Sequence, residues 1–175
     1  MKNLSGTSLL VSTVLATAGF TGSVMGQVAN DECSTATVVN SGVPVAFSTV
    51  GATSSADPAP VDTFCTGTYL AWGTTNPDVW FRYTPTENGV ADFSTCDVAG
   101  YDTSMALYTG ACSALTQVGC NGDVNDPACQ LYVSKITGFS VTSGTTYYIR
   151  IGGYQGATGG ATFSVTFTPF GAGCA

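Results

Sequence analysis

The chain has 175 residues, 44% of them hydrophobic and 9% charged, with a formal net charge of −7 and no histidine. Without histidine there is no Ser-His-Asp triad, no Cys-His pair and no HExxH zinc site. Four Lys and Arg against eleven Asp and Glu exclude a phosphate-binding surface, and so nucleic acid as a partner.

The N-terminus reads as a targeting segment. Lys2 is the only charge before Asp31, and Leu9 to Phe20 is a run of apolar and small residues. Small residues follow, with Val24 and Gly26 at the −3 and −1 positions of a cleavage site. The run is too short for a membrane helix, which needs about 20 apolar residues. The expected division is a secretory signal peptide over 1–26 and one domain over 27–175. No later stretch is long enough to span a membrane.

Beyond it the chain reads as strands and turns. Val43–Val50 is the first apolar run, and 51–75, rich in Ala, Thr, Pro and Asp, reads as a long loop or irregular edge. Val79, Phe81 and Tyr83 then alternate with Trp80 and Arg82. Val90–Thr95 follows the Asn88-Gly89 turn. Met105 and Leu107 alternate with Ala106 and Tyr108, and Thr116, Val118 and Cys120 share one side of the next strand. Leu131–Val141 supplies one or two strands. Tyr147, Ile149 and Ile151 share a face opposite Tyr148 and Arg150. A glycine-rich turn over 152–160 leads to a last strand, with Phe163, Val165 and Phe167 inward and Thr162, Ser164 and Thr166 outward. The fold class is all-β: an antiparallel, jelly-roll-like two-sheet β-sandwich of about eight or nine strands.

Seven cysteines lie beyond the signal segment, and export makes disulfides the default. There is no CxxC pair for zinc. The spacing leaves the pairing open. Cys120 and Cys129 bracket one loop and are candidates for a local bridge. Cys33 and Cys65 would tie the N-terminal segment to the long loop. Cys174, at the extreme end, is the candidate odd thiol.

Calcium is the expected cofactor, since it takes six to eight oxygen ligands. Asn30, Asp31 and Glu32 offer three oxygen side chains. Asp102 and Asp123 fall at one end of the sheet if the strands around them form a hairpin. Two carboxylates there need a counter-charge that the chain scarcely supplies. Tyr69, Trp72, Tyr101 and Tyr154, in or beside predicted loops, are the candidate ligand-binding aromatics. No carboxylate pair is singled out by spacing, so catalysis is not expected.

Taken in order, several segments carry a resemblance: NDECSTA from Asn30, DVWFRYTP from Asp78, GVADFSTC from Gly89, YDTSMALYTGAC from Tyr101, VGCNGD from Val118, VTSGTTYYIRIGG from Val141 and ATFSVTF from Ala161. Together they resemble the secreted bacterial pre-peptidase C-terminal domains, in the cysteine-rich form frequent in planctomycete-type exported proteins. The resemblance implies a jelly-roll sandwich, often calcium-stabilised, that accompanies secreted hydrolases and binds polymers such as collagen. It implies that Asp102 and Asp123 belong to the calcium-binding edge, and Asn30, Asp31 and Glu32 to an acidic entry. Family members often read Asn-Asp-Asp where this chain has Asn121-Gly122-Asp123, one potential ligand fewer.

The expected function is therefore a secreted, disulfide-linked, calcium-stabilised, non-catalytic module that binds an extracellular polymer, polysaccharide or protein. A structural or cell-surface protein, assembling through its own surface or its odd cysteine, is the alternative. A small carboxylate-dependent hydrolase is the third reading.

Overall fold

The computed structural model describes residues 28–65, 68–96, 100–124, 126 and 128–171. The expected signal segment 1–26 and Cys174 lie outside the described residues.

Nine strands form two sheets. They are β1 (Thr37–Val38), β2 (Val45–Ser48), β3 (Val79–Tyr83), β4 (Gly89–Ser94), β5 (Thr103–Ala111), β6 (Ala114–Asn121), β7 (Lys135–Val141), β8 (Tyr147–Gly153) and β9 (Gly160–Pro169). One sheet has the order β1-β3-β8-β5-β6, the other β2-β9-β4-β7. Strand pairing is antiparallel except between β1 and β3. The expected all-β sandwich is what the chain forms. Of the run 131–141, residues 135–141 form a single strand, and 131–134 belong to the loop before it.

The alternation read from the sequence sets the main core. Val79, Phe81, Met105, Leu107, Ile149 and Ile151 point from the five-stranded sheet toward Ala91, Phe93, Phe163 and Val165 of the other. Phe81 stacks on Phe163 with ring centroids 4.8 Å apart. Each of these side chains but Ala91, fully buried, contributes about 1.5–3 kcal/mol.

The opposite face of the five-stranded sheet is buried as well. Trp80, Ala106, Tyr108 and Cys120 form a second core with Cys33, Ala36, Leu70 and Trp72. The covering layer is the N-terminal segment with 51–65 and 68–76. What composition marks as an irregular edge is thus a lid of fixed path, packed on a sheet face.

A β-bulge decides how this lid is fastened. Leu107 pairs with Gly119 but Tyr108 with Gln117, so Val118 is an extra residue. Val118 packs on the main core, and a Cβ on Gly119 would face Phe139, Ile136 and Leu107. Cys120 therefore points to the other face, and Thr116, Val118 and Cys120 do not share one side. The expected bridges are corrected accordingly. Cys120 pairs with Cys65 of the lid, not with Cys129, and Cys33 pairs with Cys112 at the β5–β6 turn, not with Cys65. Cys129 pairs with Cys96 at the far end of β5 from Cys112.

Candidate functional site

One end of the sandwich gathers four stretches: 68–76, 95–96 with 100–102, 122–124 with 126 and 128–134, and 154–159. Backbone hydrogen bonds link them in a circuit. The Thr103 amide donates to the Tyr132 carbonyl at 3.0 Å, and the Tyr154 amide to the Asp102 carbonyl at 3.1 Å. The Gln155 amide donates to the Ala71 carbonyl at 2.9 Å, and the Val124 amide to the Val133 carbonyl at 2.8 Å. Thr68 closes the circuit: its hydroxyl donates to the Asp123 carbonyl at 3.2 Å and accepts from the Asp123 amide. Gly122 is required at this junction, because a Cβ there would lie 2.1 Å from the Tyr69 carbonyl oxygen.

Below the circuit sits a buried hydroxyl cluster. Thr95 and Thr103 share a hydrogen bond of 2.7 Å, and Thr103 and Ser134 one of 3.0 Å. The Ser134 amide donates to both threonine hydroxyls at 2.9 Å. All three side chains are buried. The Cys96–Cys129 bridge joins two of the loops from outside.

Three exposed tyrosines stand on this rim. Tyr69 is 76% exposed, Tyr132 56% and Tyr154 44%, with Leu131 beside Tyr132 at 60%. Among the described residues, only Ala71, Tyr132 and Gln155 combine a side chain with positive φ, at 42°, 71° and 50°. Each lies on an exposed tyrosine or within two residues of one. Backbone held in this region costs about 1–3 kcal/mol and persists where the surroundings over-determine it. The rim is therefore built stiff where its aromatics project.

The other expected aromatics are not presented. Trp72 is buried in the second core. Tyr101 packs against Gly153 and Gly159, and its hydroxyl donates to the Gly152 carbonyl at 3.2 Å and accepts from Thr49 at 3.1 Å. Burial pushes the Tyr101 hydroxyl up to about 12. Both serve as struts under the rim. The apolar run predicts strand at Leu131 and Tyr132, but both stand in a turn. Nothing in the run Gln130–Ser134 marks a left-handed turn, since the residue that adopts it is neither Gly nor Asn.

The five expected calcium ligands fall into two places. Asn30 and Asp31 are buried. The Asn30 amide donates to the Trp80 carbonyl at 3.0 Å. The two carboxylate oxygens of Asp31 accept from the Thr53 amide and hydroxyl, each at 2.6 Å. These groups fasten the N-terminal segment to β3 and the lid. Glu32 is partly exposed beside them, its carboxyl held above the usual range by burial and then by Asp31, Asp78 and Asp57. Asp102 and Asp123 lie on the rim, close enough that Asp123 helps burial to raise the Asp102 carboxyl. Among the described residues no three His, Cys, Asp or Glu side chains gather as a metal cage. The five thus stand in two groups, Asn30, Asp31 and Glu32 beside the lid and Asp102 and Asp123 brought together on the rim.

The raised pKa of Asp102 has a testable sign. The folded state holds that proton more tightly than the unfolded chain, so the penalty is full above the raised value. It lifts as pH falls through that value toward the unfolded 3.8. In calcium-free buffer at pH 7, Asp102→Asn is expected to stabilise the fold, by less than about 1 kcal/mol at this partly exposed position. Thermal melts at pH 7 and at pH 3 check it: the gain should vanish at the lower pH.

Fold and rim define a class: an all-β sandwich with three disulfides, two of which fasten a covering layer, and a stiff aromatic rim at one end. No family model matches the chain, and no curated protein does. A solved structure, the pre-peptidase C-terminal domain of a collagenase from Bacillus anthracis, is similar to it. Identity is 13%, the alignment covers 75% of this chain and 94% of that one, and the TM-score is 0.46.

Proposed function

We propose that this protein is a non-catalytic extracellular module that binds a polymer through the loop rim. The observation that carries this reading is the coincidence of the three exposed tyrosines with the three positive-φ residues. Exposed rings on stiff loops bind with little loss of side-chain and backbone freedom. Three disulfides are what a chain folding in an oxidising compartment acquires.

The test is co-sedimentation of the oxidised chain with insoluble polymers: cellulose, chitin, peptidoglycan and collagen. Saturable retention is expected on at least one. Tyr132→Ala and Tyr154→Ala should each weaken it by about threefold or more, the size of a lost aromatic contact. Phe170→Ala, at the opposite end of the sandwich, should leave it unchanged. Retention that ignores both tyrosines would remove the rim from the proposal.

Calcium enters this reading as a rim ion on Asp102 and Asp123, neutralising two carboxylates that no described base pairs with. A site with so few protein ligands would have a dissociation constant of about 10⁻⁴–10⁻³ M. Millimolar calcium should raise the Tm of the wild type and leave that of Asp102→Asn unchanged. Equal melts with calcium and with chelator would end the calcium reading.

A further inference from the structure

We propose that the polymer taken by the rim is an uncharged polysaccharide. This rests on the rim being the binding face and names its ligand.

Charge is the first argument. The basic residues of the chain are Lys2, Arg82, Lys135 and Arg150. Lys2 lies outside the described residues. Arg82 is near the far end of β3, and Arg150 is buried beneath the lid. Among the described residues only Lys135 stands at the rim, and its ammonium is paired to Asp126 at 3.8 Å. Among the described residues no base is paired with Asp102 or Asp123. A polyanion such as a uronic acid polymer would therefore meet carboxylates and no free cation, and like charges brought together oppose binding.

The second argument is the mixture of surfaces. A sugar ring has an apolar C–H face and an edge of hydroxyls. The rim offers flat rings for the first and short polar groups for the second. Gln155 donates its amide to the Tyr154 hydroxyl at 3.2 Å, which orients that ring. Asp102 and Asp123 accept hydrogen bonds and donate none when ionised. A protein ligand of ordinary affinity would seek a broader apolar centre, and among the described residues the large aliphatic side chains exposed at this end are Leu131 and, in the turn beside Gly159, Val50.

The third argument is stiffness. A polysaccharide supplies few strong contacts per residue, so its binding face must lose little freedom on binding. The hydrogen-bonded circuit, the hydroxyl cluster and the Cys96–Cys129 bridge supply that rigidity.

Affinity electrophoresis in native gels tests this, with chelator present throughout. One set of gels contains hydroxyethylcellulose, galactomannan or a neutral glucan, another alginate or polygalacturonate, and a third gelatin. Retardation is expected in at least one neutral gel and in no acidic or gelatin gel. Tyr69→Ala, Tyr132→Ala and Tyr154→Ala should each reduce it by about threefold or more, and Phe170→Ala should not. Melting curves of the variants show that they are folded, and three separate tyrosines keep the test open if one is not. Retardation only in acidic or gelatin gels, still dependent on these tyrosines, overturns the sugar assignment and leaves the rim as the binding face. No retardation anywhere, or retardation that the tyrosines do not affect, overturns both.

Discussion

Reducing the disulfides is expected to unfold this protein at room temperature. The three bridges close loops of 79, 55 and 33 residues of separation. On the chain-entropy account they would contribute about 4.5, 4.2 and 3.7 kcal/mol. The loops overlap, so the terms do not add fully. Even so, their joint effect matches the about 5–15 kcal/mol by which whole domains are stable. The readout is built in, since the only two tryptophans, Trp72 and Trp80, are both buried in the second core. Excess dithiothreitol at 25 °C should shift their emission to the red and abolish the cooperative melt. A reduced chain that keeps its emission and melts within about 5 °C of the oxidised one would show that the sheets alone carry the fold. The bridges should also differ by place. Replacing Cys65 and Cys120 by alanine frees the lid and should red-shift the tryptophans before global unfolding. Replacing Cys96 and Cys129 loosens the rim and should leave them buried.

The strands were legible because their faces differ. Phe163, Val165 and Phe167 against Thr162, Ser164 and Thr166 could be placed from period two alone, and β8 and β3 likewise. β1 was not legible, since two residues have no period and its parallel partner is more than forty residues away. The lid was missed for a different reason. Stretch 51–76 has a loop composition, and composition does not say whether a loop lies on water or on a sheet. The clue was on the other side: Trp80, Tyr108 and Arg150 stand on the face opposite the main core. A strand face carrying large rings and an arginine is compatible with solvent or with a cover. Only the tertiary arrangement decides. The bulge at Val118 then turned Cys120 around, and no pattern in Ala114–Asn121 announces it. At the rim, Asp102, Asp123, Tyr69 and Tyr154 were picked out by residue type and position near turns. Tyr132 was hidden by its apolar neighbours.

Arg150→Met is expected to be the most damaging single substitution on the lid side. Arg150 is 2% exposed and lies between two indole rings, its guanidinium carbon 5.0 Å from the Trp72 centroid and 5.1 Å from that of Trp80. One terminal nitrogen pairs with the Asp78 carboxylate at 2.8 Å. The other donates to the Pro58 carbonyl at 3.0 Å and to that of Asp57 at 3.4 Å. A loop laid across a sheet face brings backbone carbonyls with it, and buried carbonyls need donors. A planar fork of five donors meets several at once. Methionine fills the space but leaves the Asp78 carboxylate buried without its partner charge. The expected loss is about 3–5 kcal/mol, or roughly 10–15 °C in Tm for a domain of this size. Arg150→Lys should recover little, because one ammonium cannot span the carboxylate and the carbonyls or stack between two rings. The cycle with Asp78→Ala separates charge from packing. If the ion pair dominates, the double variant should lose at least about 1 kcal/mol less than the sum of the two single losses. Full additivity would mean that the arginine matters through its carbonyl contacts and its two tryptophans, with the carboxylate held by Ser55 alone.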